Sequence, residues 1–337
     1  MPPMATKILT FPTHNNFESD CREIHDSLSG GLGHLLHVLV RRSRLEILQI
    51  RGTYREMYGE DLAQRLQQSD SNAVELYTEA RRALMLFLLD PYERDAVLAC
   101  KAIKQDETNY GVLVEIFTGR KSSHIELIKR AYLAKFRRHL DQDIVNIEPP
   151  HPFQRILGAL ATSHKAHEVD ASQHIAKCDA RRLYETGEGQ SGGGAVEEAV
   201  VLEILSKRSI LQLKYTLSSY WHIYGHDYSE SLKRGSSSEF EDALYMVVKC
   251  IMNSTDYFAE KLYQCIEGKS RDKGALIRVM VSRAEVDLNA IQSFFKRKYG
   301  IELKDSIAKS IPPGDYREFL VALATKPTSS APSTELD

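Results

Sequence analysis

The chain has 337 residues, of which 42% are hydrophobic and 27% are charged, so it can bury a large core. Its formal net charge of −2 excludes the strongly basic surface typical of nucleic-acid-binding proteins, and any anionic partner must be bound by local basic patches. The longest apolar run, Ala83 to Leu89, is too short to span a membrane, and the N-terminus shows no signal-peptide pattern. Five widely spaced cysteines without a CxxC pair indicate free thiols in a reducing compartment.

Four segments of the sequence resemble one another, and they begin at Val38, Glu115, Glu203 and Arg278. Each segment contains one arginine in the same frame; these register arginines are Arg42, Arg120, Arg208 and Arg283. They are separated by 78, 88 and 75 residues. At offsets of −7, −4, −3, +5, +8, +12, +16 and +20 from them stand 32 residues, of which only Thr216 is not apolar. A random arrangement at the overall hydrophobic fraction would give roughly 13 apolar residues.

The steps between these offsets are three or four residues, which is the spacing of one face of an α-helix. Each repeat therefore has at least two amphipathic helices that are joined near the register arginine. A further helix follows in each repeat, as in RDAVLACKAIK from Arg94 and YFAEKLYQCIE from Tyr257. Strand-like alternation is almost absent, so we predict an all-α fold. We expect each register arginine to pair with a carboxylate or with a helix C-terminus.

Composition marks the ends of the repeats in chain order. Asp90-Pro91 separates the first repeat from the second, and the prolines between Glu148 and Pro152 interrupt a helix inside the second. The glycine-rich stretch from Gly187 to Gly194 predicts a flexible loop in the third repeat. The predicted organisation is an N-terminal tail (1–19), repeats at 20–90, 91–161, 174–252 and 253–325, a linker (162–173) and a disordered polar tail (326–337).

Several stretches resemble the annexin family, and its plant branch in particular. They are YGEDL at Tyr58, DPYERDA at Asp90, SKRSILQLK at Ser206, VMVSRAEVDL at Val279 and PGDYREFL at Pro313, and the likeness covers about residues 20 to 325. The resemblance implies a curved disc of four annexin-type repeats with about five helices each. It also implies a protein that binds acidic phospholipid membranes peripherally, with calcium as cofactor. Together with the free thiols, this predicts a cytoplasmic, peripherally membrane-associated protein. A central polar channel lined by the register arginines is a further possibility that the family suggests.

The family pattern for a calcium site is incomplete in every repeat. Two glycines are expected fifteen and thirteen residues before the register arginine, and an acidic residue twenty-seven after it. Only Gly193 and Gly268 match a glycine position, and the acidic position is held by Ser69, Ile147, Gly235 and Ser310. Shifted loops leave weak calcium candidates, namely Gly31, Gly33 and Asp70 in the first repeat and Ile266, Gly268, Ser270 and Asp315 in the fourth. Because calcium requires six to eight oxygen ligands, we expect calcium binding that is weak or lost.

A basic run in the second repeat is the candidate lipid-binding surface, and its members are Lys129, Arg130, Lys135, Arg137 and Arg138. Each basic residue close to an anionic membrane contributes about 1 kcal/mol to binding. The same pattern is also typical of the solvated face of a helix. The alternative function is a calcium-independent scaffold with the same fold, which binds cytoskeletal or other proteins.

Other candidate chemistry is less specific. His222 and His226, and likewise His174 and Cys178, stand four residues apart as zinc ligands do on a helix, but a surface pair is the more typical arrangement. Gly225 is expected to end the helix that carries His222. The segment GEGQSGGG lacks the lysine of a phosphate-binding loop, since Gly193 stands in its place. No convergent catalytic set is present, so the sequence does not predict an enzyme.

Overall fold

The computed structural model describes residues 17–28, 32–67, 75–162, 171–189, 195–234, 238–268 and 272–326. Over these ranges the backbone forms twenty α-helices and no strand, which confirms the predicted all-α class. In that part of the chain, none of the helices has the length and apolar character needed to cross a bilayer.

The helices follow one another in sets of five. The first repeat contains α1 (Phe17–Ser27), α2 (Leu32–Val40), α3 (Arg44–Tyr58), α4 (Leu62–Gln67) and α5 (Glu75–Leu88). The second contains α6 (Pro91–Ile103), α7 (Tyr110–Thr118), α8 (Ser122–Phe136), α9 (Leu140–Val145) and α10 (Pro152–Leu160). The third contains α11 (Gln173–Glu185), α12 (Glu198–Lys207), α13 (Ile210–Tyr224), α14 (Tyr228–Ser231) and α15 (Glu239–Met252). The fourth contains α16 (Ser254–Glu267), α17 (Lys273–Arg283), α18 (Leu288–Tyr299), α19 (Leu303–Ser310) and α20 (Asp315–Thr325).

The helices pack into two compact units. One unit comprises the described residues within 1–88, 272–286 and 303–337, and in it α20 packs against α2, α5, α17 and α19. The rings of Phe87 and Phe319 meet edge to face at 5.7 Å in its core. The other unit lies within 89–271 and 287–302, and in it α15 packs against α7, α10, α13, α14 and α16.

The repeated apolar positions form the core. All 32 residues at the eight offsets are buried, except Val38 and the four aromatic residues at offset +16, which are half-buried. Thr216 is fully buried as well. Its burial is tolerated because its hydroxyl donates a hydrogen bond to the Gln212 carbonyl at 3.0 Å. The aromatic side chains at offset +12 are completely buried, and they are Tyr54, Tyr132, Tyr220 and Phe295. The sequence period therefore identified the inward face of the second, third and fourth helices of each repeat.

Local signals begin and end the helices. Ser43 and Glu46 form a capping box at the start of α3, and Asp90 accepts a hydrogen bond from the Tyr92 amide at 2.9 Å at the start of α6. The residue after the third helix of every repeat is in the left-handed conformation, with φ between 58° and 80°. Three of these residues are glycines, Gly59, Gly225 and Gly300, whereas the second repeat has Arg137.

We predict that Arg137→Gly stabilises the protein, because glycine adopts a positive φ without steric strain. The expected gain in the free energy of unfolding is about 0.5 to 1 kcal/mol, measured from the urea midpoint. Arg137→Ala is the matched control, since it removes the same side chain but keeps a Cβ. Equal midpoints for the glycine and alanine variants would contradict the prediction.

Candidate functional site: the loop edges of the repeats

Three of the four register arginines bind the first helix of their own repeats. Arg120 Nε donates to Asp95 Oδ2 at 2.7 Å, and Arg208 Nε donates to Asp179 Oδ2 at 2.7 Å. Arg42 forms the same pair with Asp20 at 2.7 Å. The hydrogen bond to Asp179 raises the pKa of Arg208. These bonds confirm the expected carboxylate partner in three repeats, and they hold the end of the second helix against the first.

We use the term loop edge for the segment between the first and second helices of a repeat, together with the segment that precedes the fifth helix. In the annexin pattern, the calcium ligands come from these two segments. In the first repeat, the start of α2 meets an acidic residue of the fourth repeat. The Leu32 amide at the start of α2 donates to Asp315 Oδ2 at 3.2 Å. Gly33 allows this approach, since a Cβ there would lie 3.1 Å from Asp315 Oδ1.

Aromatic stacking closes the loop edge of the second repeat. Tyr110, at the start of α7, stacks on His151 with ring centroids 4.8 Å apart and on Phe153 at 5.0 Å. His151 caps α10, where its Nδ1 accepts a hydrogen bond from the Phe153 amide at 3.2 Å. Burial of Tyr110 raises its pKa. The two segments are thus joined by ring contacts.

A polar cluster closes the loop edge of the third repeat. Glu188 follows α11, and its Oε1 accepts a hydrogen bond from Arg234 at 2.7 Å. Its Oε2 accepts from Ser231 at 2.7 Å, from Tyr220 at 3.2 Å and lies 2.8 Å from His226 Nε2. Burial alone would raise the pKa of Glu188, but the hydrogen bonds from Ser231 and His226 outweigh it and lower the pKa to about 2. We call these five residues the Glu188 clamp.

Two further bonds involve the segments that precede fifth helices. In the third repeat, the Val196 amide donates to Glu241 Oε1 at 3.1 Å, while the other oxygen of Glu241 accepts from the Ser238 amide. In the fourth repeat, the Tyr316 hydroxyl donates to the Lys273 carbonyl at 3.3 Å. Each bond links the start of a second helix to the start of a fifth helix.

The candidate calcium ligands are only partly assembled. Gly33 and Asp315 come together, but the Asp315 carboxylate serves the backbone of α2. Ile266 is buried near the end of α16, and the Gly268 amide ends that helix with a bond to the Gln264 carbonyl at 3.0 Å. The other three candidates, Gly31, Asp70 and Ser270, lie outside the described residues. Within the described ranges, no group of three or more His, Cys, Asp or Glu side chains is arranged to hold a metal ion.

Most of the candidate lipid-binding run is engaged in ion pairs. Lys129 donates to the Ala161 carbonyl at 2.6 Å and lies 3.0 Å from Asp141. Lys135 pairs with Glu93 at 3.1 Å, and Arg138 pairs with Asp143 at 2.7 Å. Arg130 forms only a surface pair with Glu126, one turn earlier on α8, and Arg137 is exposed. Arg130 and Arg137 are therefore the members of the run that are best placed to meet a ligand.

The remaining sequence candidates have ordinary surroundings. His222 lies on the surface of α13 with its ring 4.9 Å from that of Trp221, which is 50% exposed. Gly225 ends α13 as expected, and His226 belongs to the Glu188 clamp. Cys178 is exposed with its sulfur 3.7 Å from His174, whereas the other four cysteines are buried. All five cysteines are free thiols, as the sequence predicted.

Sequence reasoning missed the clamp and the aromatic stack. Glu188 stood in a glycine-rich stretch that indicated only flexibility, and Arg234 lies 46 residues further along the chain. Tyr110 and His151 have no shared periodicity that marks them as partners. The sequence signal that could have indicated the clamp is an acidic residue next to glycines directly after the first helix of a repeat.

The lowered pKa of Glu188 predicts a pH-dependent effect of Glu188→Gln. A carboxyl group with a pKa of about 2 in the folded protein and about 4.5 when unfolded stabilises the fold above pH 4.5. This contribution is lost as the pH falls from 4.5 towards 2. At pH 7 we expect the variant to lose about 1 to 3 kcal/mol in the free energy of unfolding. Urea midpoints measured at several pH values test this, and a variant deficit that stays constant down to pH 3 would contradict it.

Comparison with known proteins agrees with the repeat architecture. The sequence profile of the annexin family matches residues 94–146 and 257–323. Human annexin A13 is 33% identical over 289 residues, which cover 86% of this chain and 88% of that protein. Human annexin A4 is 32% identical over 326 residues, covering 95% and 98% of the two chains. The solved structure of annexin III superposes with a TM-score of 0.81 at 30% identity, over 93% of this chain and 95% of that one. The chain belongs to the annexin family, whose members are peripheral phospholipid-binding proteins that generally bind calcium.

Proposed function

We propose that this annexin binds acidic phospholipid surfaces from the cytoplasm with a calcium requirement weaker than the family pattern implies. The proposal rests on the observation that carboxylates at the loop edges are already hydrogen-bonded within the protein. Asp315, Glu188 and Glu241 each accept hydrogen bonds from protein donors. A calcium ion would have to displace those donors before it could use these oxygens.

The described residues therefore do not fit the calcium site of the family. That site needs backbone carbonyls and an acidic side chain whose oxygens are free to face the ion. Glu188 is held by the Arg234 guanidinium and the His226 ring, and Asp315 is held by the amide of Leu32. The residues that remain to bind an anionic headgroup directly are exposed arginines such as Arg130 and Arg137.

The alternative proposal is a calcium-independent scaffold for cytoskeletal or other proteins. It is supported by α13, which exposes four large hydrophobic side chains: Leu211, Tyr215, Trp221 and Ile223. Exposed aromatic and aliphatic side chains are typical of protein interfaces. Vesicle binding separates the two proposals, because a protein scaffold without lipid affinity will not pellet with vesicles.

Co-sedimentation with vesicles tests the lipid proposal. We expect the protein to pellet with phosphatidylserine-containing vesicles and not with phosphatidylcholine alone. Asp315→Asn should leave the calcium dependence of pelleting unchanged, because the Asp315 carboxylate already serves Leu32. Glu318→Gln, which removes an exposed carboxylate from the same helix α20, is the matched control. If the calcium concentration for half-maximal pelleting rises only in Asp315→Asn, then Asp315 is a ligand. If the protein does not pellet with or without calcium, the scaffold proposal is favoured.

A second vesicle experiment tests the exposed arginines. In the presence of a calcium chelator, Arg130→Gln and Arg137→Gln should each lower the partition onto phosphatidylserine vesicles about fivefold, the equivalent of about 1 kcal/mol. Arg22→Gln is the control, because Arg22 is exposed on α1 in a one-turn pair with Glu18, as Arg130 is with Glu126. Equal partition of all three variants would exclude this run as the lipid contact.

A further inference from the structure

The Glu188 clamp joins three separate parts of the third repeat. Glu188 lies in the turn after α11, Tyr220 lies on α13, and Ser231 ends α14. His226 stands between α13 and α14, and Arg234 follows α14. The Glu188 and His226 side chains are 26% and 15% exposed, so the contact between them is largely shielded from water. Arg234 closes the cluster from the solvent side, with 54% of its side chain exposed.

Both ring nitrogens of His226 face hydrogen-bond acceptors. Its Nδ1 lies 3.0 Å from the Tyr224 carbonyl, and its Nε2 lies 2.8 Å from the Glu188 carboxylate. A carbonyl and a carboxylate only accept hydrogen bonds, so the ring is placed where it can donate on either side. Glu188 is thus in contact with the His226 imidazole and with the Arg234 guanidinium.

The cluster does not have the geometry of a hydrolase, although it contains Ser, His and Glu. In a catalytic triad, the carboxylate and the serine bind opposite nitrogens of the imidazole. Here Glu188 and Ser231 both lie at Nε2, at 2.8 Å and 3.0 Å, and Nδ1 is occupied by a backbone carbonyl. The Ser231 hydroxyl donates to Glu188 and is not poised for attack.

We propose that His226 and Arg234 replace a divalent cation in the third repeat and close the turn after α11 without metal. Both oxygens of Glu188 are saturated: Oε1 by Arg234, and Oε2 by Ser231, His226 and Tyr220. Burial raises the pKa of Tyr220 to about 12, so its hydroxyl remains a donor at physiological pH. A calcium ion at Glu188 would have to displace the Arg234 and His226 side chains and then find several further oxygen ligands.

The turn that carries Glu188 contains hydrogen-bonded backbone amides whose exchange with solvent can be measured. The amides of Gly187 and Gly189 donate to the Tyr184 carbonyl at 3.2 Å and 2.8 Å, and the Glu197 amide donates to the Thr186 carbonyl at 2.9 Å. These bonds hold the turn that carries Glu188 in its folded form. Hydrogen exchange at residues 184–189 therefore reports whether the clamp is closed. The measurement needs no membrane, so its failure is independent of a failure of the lipid proposal.

Hydrogen-exchange mass spectrometry of the full chain, with calcium or with chelator, tests the proposal. In the wild type we expect the same exchange rate at residues 184–189 in both conditions. His226→Ala and Glu188→Gln should accelerate exchange there roughly 10-fold or more, because each removes the shielded contact between the His226 ring and the Glu188 carboxylate. Arg234→Ala should give a smaller acceleration, since the Arg234 side chain is half exposed.

Glu230→Gln is the matched control, because Glu230 also lies near Arg234, at 4.0 Å, but is 60% exposed and makes no bond to Glu188. Arg234→Lys keeps the positive charge and should exchange more slowly than Arg234→Ala. Circular dichroism identifies any variant that fails to fold. If the His226 or Glu188 variant does not fold, the proposal is tested with the Arg234 variants, because Arg234 is more exposed. Protection of residues 184–189 by calcium in the wild type, or exchange in the Glu188, His226 and Arg234 variants equal to that of Glu230→Gln, would overturn the proposal.

Discussion

In the first three repeats, the bond between the register arginine and the aspartate of the first helix is the constraint on which the repeat depends. Asp95 and Asp179 are almost completely buried, so each carboxylate depends on the hydrogen bonds from its arginine inside the protein. The arginine follows the end of the second helix and precedes the third. One bond therefore sets how three helices meet, and the apolar positions that are counted from the arginine then point into the same core.

The loop edges are closed by different chemistry in different repeats. A carboxylate holds the start of α2, a ring stack holds the second repeat, and the Glu188 clamp holds the third. In the family these segments are generally occupied with calcium coordination. Here the segments are bridged by groups of the chain itself, and we propose that their closure does not depend on an ion. Such a separation would let a member of the family keep its fold while its calcium ligands diverge.

The aromatic residues at offset +16 show a second role for the repeated pattern. They are only half-buried, yet each lies against the first helix of its repeat or against the residue that directly follows it. Tyr58 stacks on His25 at 4.0 Å, Tyr224 on Tyr184 at 3.9 Å and Tyr299 on Tyr263 at 3.9 Å. In the second repeat, Lys104 lies 6.0 Å from the centre of the Phe136 ring. A planar ring suits this position because it covers the first helix with one face and leaves the other to water.

The sequence by itself determined the helical class, the fourfold repeat and the inward face of the helices. These properties follow from local spacing, since a period of three or four residues can be buried on one side only if the segment is a helix. It also determined several helix ends, such as Asp90-Pro91 and Gly225. The tertiary structure decided the partners of the polar groups. Leu32 and Asp315 are 283 residues apart, and Glu188 and Arg234 are 46 apart. No local sequence period connects these partners. Their distance in space depends on how the helices cross, and a hydrogen bond forms only when donor and acceptor lie within about 3.5 Å.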